Sequence, residues 1–163
     1  MASFQNGPVE IAYLDEGAGE PIVLVHGFAS TKEVNWVQPG WFETLKGAGR
    51  RVVAFDNRGH GASAKLYQPA DYHSSLMAGD ARALIEYLGL GRADVMGYSM
   101  GARIAAFLAS EPCAVFPGFR APQLGRSPKL LIIPAYPPGH LHRSTILSSP
   151  YDSGLAFSSA LHD

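Results

Sequence analysis

Residues 93–110, ADVMGYSMGARIAAFLAS, set a serine between two glycines where an apolar run gives way to an alanine-rich helical pattern. This corner constrains the chain more than any other feature. A strand that turns directly into a helix leaves no room for side chains beside the turn, so Gly97 and Gly101 each have a steric reason. The same corner is expected to hold Ser99 in a strained conformation that pushes its Oγ into the open. The helix that starts there aims free N–H groups and the positive end of its dipole at any negative charge developing beside Ser99.

The elements on either side agree with such a corner. VEIAYLDEG (9–17) alternates apolar and polar residues before a Gly-rich turn, and PIVLVHG (21–27) reads as a continuous apolar run, as in a strand covered on both faces. A short aromatic-rich helical candidate between Trp36 and Leu45 is interrupted by Pro39 and Gly40, and RRVVAFDN (50–57) reads as a buried strand ending in Asp56. Met77, Ala81, Leu84, Ile85 and Leu88 recur at helical spacing and form one apolar face, stopped by Gly89 and Gly91. ADVMGY is the next strand and Met100 to Ala109 the next helix. Alternating strands and helices predict an α/β fold with a mostly parallel sheet flanked by helices.

The pattern changes near residue 111. Eight of the 12 prolines fall within 112–163, and only Asp152 and Asp163 remain there of 14 acidic residues. The chain is therefore divided into residues 1–111, an α/β portion, and a Pro/Ser-rich tail of 112–163 in which KLLIIP (129–134) is the one strand candidate. A net charge of −1 provides no basic excess for nucleic acid or an anionic membrane, and neither is expected as a partner. No apolar run approaches the roughly 18 residues of a membrane span and MASFQNGPVE lacks a signal pattern, so a cytoplasmic location is expected. The single Cys113 makes no internal disulfide and reads as a small hydrophobe.

Three motifs stand in order: His26-Gly27-Phe28, Asp56-Asn57-Arg58-Gly59-His60-Gly61-Ala62-Ser63, and Gly97-Tyr98-Ser99-Met100-Gly101. Together they resemble the α/β-hydrolase superfamily, in particular its small serine esterases and cofactor-free haloperoxidases, over residues 9 to about 111. The resemblance implies that Ser99 is the nucleophile of a nucleophile elbow. It also implies that the backbone N–H groups of Phe28 and Met100 form an oxyanion hole, in which one donor is typically worth about 3 kcal/mol. Serine at the nucleophile position disfavours the family's epoxide hydrolases and haloalkane dehalogenases, which use Asp, and its dienelactone hydrolases, which use Cys. A small carboxylic ester or related acyl compound is the implied substrate, with no metal and no cofactor.

Other residues of these motifs have structural readings. His26 is expected to order the oxyanion loop and His60 to satisfy a tight turn, Asp80 and Arg103 to be surface or pairing residues, and Trp36, Trp41 and Phe42 to be core. A serine needs a base oriented by an acid, and in this fold both follow the nucleophile in the chain. After Ser99 the acids are Glu111, Asp152 and Asp163 and the histidines His140, His142 and His162. None sits at the end of a convincing strand, so no base is assigned, and His140-x-His142 lacks the further ligands a metal would need. Two alternatives follow: a catalytically incomplete, truncated or frame-shifted fragment whose fold stops short after the elbow helix, and a non-catalytic small-molecule binding protein.

Overall fold

The computed structural model describes residues 1–110 together with the strand segments Leu130–Ile133 and Thr145–Leu147. Its strands are β1 (Ala2–Asn6), β2 (Val9–Glu16), β3 (Pro21–Val25), β4 (Arg51–Phe55), β5 (Asp94–Tyr98), β6 (Leu130–Ile133) and β7 (Thr145–Leu147). They form one sheet in the order β1-β2-β4-β3-β5-β6-β7. The centre is parallel: β3 pairs with β4 and β5, and β5 with β6, while β1, β2 and β7 run antiparallel to their neighbours. Helices α1 (Trp41–Gly47), α2 (Ser74–Tyr87) and α3 (Met100–Ser110), with a π-helical turn at Glu33–Val37 and a 3-10 turn at Pro69–Tyr72, supply the crossovers.

The continuous apolar runs take the central places because both of their faces are covered. Val23 and Val25 of β3 and Val53 and Phe55 of β4 face Met77, Ala78, Ala81 and Leu84 of α2 and Ile104 of α3. Their alternates Ile22, Leu24, Val52 and Ala54 face Trp36 and Phe42 on the other side, with Met96 of β5. The period-2 geometry of each strand thus divides one apolar run between two cores. Trp41, expected in the core with Trp36 and Phe42, is instead 42% exposed, because the first turn of α1 turns Phe42 inward.

One strand that the sequence signals and the sequence reading passed over is β1. Asn6 and Val9 are paired across a two-residue Gly7-Pro8 turn. Gly7 has φ +59°, and Pro8 cannot take a positive φ, so the turn belongs to the mirror-image class with glycine at its first central position. Strand β6 falls in the KLLIIP run, whereas β7 lies in a stretch without a clear sequence period. Among the described residues, no helix is long and apolar enough to cross a membrane.

Candidate active site

The strand registers bring the three motifs to one edge. Val25 is level with Phe55 of β4 and with Gly97 of β5. Because these strands are parallel, His26-Gly27-Phe28, Asp56-Asn57-Arg58 and Ser99-Met100 all leave the sheet at its carboxyl edge, where open α/β sheets bind ligands. The glycines allow the close approach. A side chain on Gly101 would strike the backbone carbonyls of Val25 and His26, one on Gly97 would strike the backbone of Gly101 and Ala102, and one on Gly27 would meet the Tyr98 ring. The start of α3 is therefore packed backbone to backbone against the exit of β3.

Ser99 has φ +54°, in the left-handed region that costs a non-glycine residue about 1–2 kcal/mol. Its carbonyl accepts hydrogen bonds from the N–H groups of Ala102 (3.0 Å) and Arg103 (3.3 Å). Met100 opens α3, and the N–H groups of a first helical turn have no partner within the helix. Among the described residues, one other non-glycine residue has a positive φ: Ala29, at +51°. Ala29 follows Phe28 as Ser99 precedes Met100, so each expected oxyanion donor stands next to a strained residue. Phe28 is 76% exposed.

The β3 exit loop is held by directional bonds. His26 is fully buried, and its Nε2 accepts the Asn57 N–H at 2.9 Å, which leaves Nδ1 to donate to the Gly27 carbonyl at 2.7 Å. Both ring nitrogens are engaged, and burial pushes the imidazole down to about 4, so it is neutral at pH 7. The Gly27 carbonyl and the Phe28 N–H share one planar trans peptide and point in opposite directions. By holding that carbonyl, His26 sets the direction of the Phe28 N–H. The Gly27 N–H in turn donates to Asn35 Oδ1 at 2.8 Å, and Asn57 Nδ2 to the His26 carbonyl at 3.1 Å.

Asp56, also fully buried, accepts three bonds: Lys32 N–H (2.9 Å), Lys32 Nζ (2.7 Å) and Ala62 N–H (2.9 Å). Burial alone would push its carboxyl up, but the Lys32 and Ala62 hydrogen bonds outweigh it and hold the group below the usual carboxylate range. Lys32 is likewise wholly buried; burial would lower its ammonium, and the bonds to Asp56 and Glu33 raise it instead. A side chain on Gly61 (φ +47°) would occupy the place of the Asp56 carboxylate. Arg58 makes a two-pronged pair with Asp80 (2.6 and 2.8 Å). Asp80 is thus a fully buried pairing residue rather than a surface one, while Arg103 is exposed.

His60 is half-buried with Nδ1 at 3.0 Å from the Arg58 carbonyl, in the turn where the sequence put it. The rings of His26 and Phe28 lie 5.2 and 6.2 Å from it. Three buried polar atoms in the segments that leave this edge, Ser30 Oγ, Trp36 Nε1 and Asn57 Oδ1, have no partner among the described residues and leave hydrogen-bonding capacity there. Among the described residues no group of three or more His, Cys, Asp or Glu is placed to hold a metal. Glu111, Cys113, His140, His142, Asp152, His162 and Asp163 lie outside the described residues.

Sequence reasoning missed Lys32, Asn35 and Asn57, all of which shape this edge. The signal for Lys32 was indirect: an Asp at the end of a buried apolar strand has to find a charged or N–H partner. Nothing local marks Asn35, whose place depends on the π-helical turn at Glu33–Val37.

A family model described as the alpha/beta hydrolase fold matches residues 20–116. The chain belongs to the α/β-hydrolase family. It is 34% identical over 130 residues to a non-heme haloperoxidase from Rhodococcus erythropolis, covering 79% of this chain and 42% of that protein. It is 35% identical over 111 residues to epoxide hydrolase B from Mycobacterium tuberculosis, covering 66% and 30% respectively. A solved structure described as an N-acyl homoserine lactone degrading enzyme superposes with TM-score 0.57 at 32% identity, over 66% of this chain and 39% of that one. This α/β hydrolase spans less than half the length of the curated relatives it matches. Their names cover different reactions, so membership carries the fold and not the chemistry.

Proposed function

We propose that this chain carries the nucleophile half of a serine hydrolase site that acts on small carboxylic esters or related acyl compounds. Ser99 Oγ attacks the acyl carbon and gives up its proton to a base. The carbonyl oxygen becomes an oxyanion between the Phe28 and Met100 N–H groups. The tetrahedral species collapses as the alcohol leaves with a proton, and water then releases the carboxylic acid from acyl-Ser99. The observation that carries this reading is the strained Ser99, φ +54°, at a strand-to-helix corner closed by Gly97 and Gly101. A strained residue persists only where its surroundings over-determine it, and such residues cluster at functional sites. The relatives named for epoxide hydrolysis do not redirect the reading, because position 99 holds a hydroxyl and not a carboxylate.

His26 is not the base in this scheme, since both of its nitrogens are engaged. No described residue is assigned as the base or its acid, and His140, His142, His162 and Asp152, outside the described residues, are the ones to test. Short-chain p-nitrophenyl esters provide the experiment, run with intact-mass analysis. The expected result is a burst of p-nitrophenol with one acyl group added at Ser99, absent in Ser99→Ala. Folded protein that gains no acyl group at Ser99 would overturn the proposal.

A further inference from the structure

The β3 exit loop is fixed at both of its ends. Its first pin is the Gly27 N–H on Asn35 and the Gly27 carbonyl on His26. Its second is four residues beyond Phe28, where Lys32 meets Asp56 through both its backbone N–H and its Nζ. The strained Ala29 lies between the pins. Asp56 directly follows β4, whose register with β3 is set by five residue pairs, so the second pin ties the loop to the sheet itself. A left-handed alanine is held only when both ends of its turn are fixed, because a released end allows φ to return to negative values.

We infer that Lys32 is a positioning residue for the Phe28 N–H: its buried pair with Asp56 holds the strained turn at Ala29 and so keeps that donor aimed at the edge where Ser99 stands. This rests on the serine hydrolase reading above and adds to it a residue that touches no substrate. An ion pair with a merely structural role would affect the amides that it bonds, those of Lys32 and Ala62. A positioning role reaches the Gly27 and Asn57 amides, whose acceptors are Asn35 and His26 and not Asp56.

The test is amide hydrogen exchange on the full chain, paired with the rate of fluorophosphonate labelling. Lys32→Met leaves Asp56 buried without its cation and can fail to fold. The double variant Lys32→Met with Asp56→Asn removes both charges at similar volume; the Asn oxygen can still accept the residue 32 N–H, and its NH2 leaves the Ala62 N–H without an acceptor. Leu84→Ala, in the α2 core, controls for global destabilisation. In the double variant, exchange at Gly27 and Asn57 is expected to rise at least tenfold beyond the rise at Val23 and Val53. Labelling is expected to slow at least tenfold. Gly27 and Asn57 exchange that merely follows the core, as in Leu84→Ala, would overturn the inference. If the wild type does not label at all, the hydrolase reading has failed, and the exchange pattern still decides whether Lys32 holds the loop.

Discussion

The middle of the sheet and its carboxyl edge are built from opposite materials. In the middle, Val23, Leu24, Val52, Val53 and Ala54 are fully buried side chains with no polar atoms. At the edge, within a few residues of the same strands, His26, Lys32, Asp56, Asn57 and Arg58 are buried nearly as completely. Apolar burial is non-directional and tolerates substitutions that conserve volume. Buried polar groups instead require each partner at a stated distance and angle, and losing one leaves the other uncompensated. The middle holds the strands together, and the edge uses that stiffness to fix the orientation of individual N–H groups.

The difference can be broken most severely at Gly101. Gly101→Ala drives a methyl group into the carbonyls of Val25 and His26, neither of which can move without moving β3. A loss on the order of 4 kcal/mol is expected from denaturant unfolding, with a folded protein of normal stability as the contrary result. Asp80→Ala comes next, since it leaves the Arg58 guanidinium buried without its two-pronged partner. It should cost about 3 kcal/mol or more by the same measurement.

A pH dependence is the third and smaller effect. His26 titrates near 4 in the fold and near its ordinary 6.5 when unfolded, so the unfolded chain binds the extra proton between those values. Its contribution is complete above pH 6.5 and is lost as the pH falls toward 4, by up to about 3 kcal/mol. Unfolding free energies of wild type and His26→Gln across pH 4 to 7 check this, because the variant should lack that slope. The smallest effect belongs to the middle of the sheet: Ile22→Val should cost only about 1 kcal/mol, and a larger cost there than for Asp80→Ala would reverse the comparison.

The same contrast explains what could be read from the chain. β3 and β4 were legible because burial on both faces writes a continuous apolar run, β5 because it leads into the Gly97–Gly101 corner, and α2 because one apolar face recurs at helical spacing. The elbow was legible because its two glycines are local consequences of one corner. Lys32 and Asn35 were not, because their partners Asp56 and Gly27 are brought to them by β-strand register and a π-helical turn, neither of which leaves a local mark. Asp80 could be read as a pairing residue, but its burial depends on how α2 lies against Arg58 and Asn6.

The central claim is that Ser99, held at this edge, acts as a nucleophile. Fluorophosphonate labelling of the full chain, read by intact mass and repeated on Ser99→Ala, tests it most directly. Rapid addition of a single phosphonyl group to the wild type and none to the variant is the expected result. A soluble, folded wild type that remains unlabelled, or labelling that persists without the Ser99 hydroxyl, would contradict it.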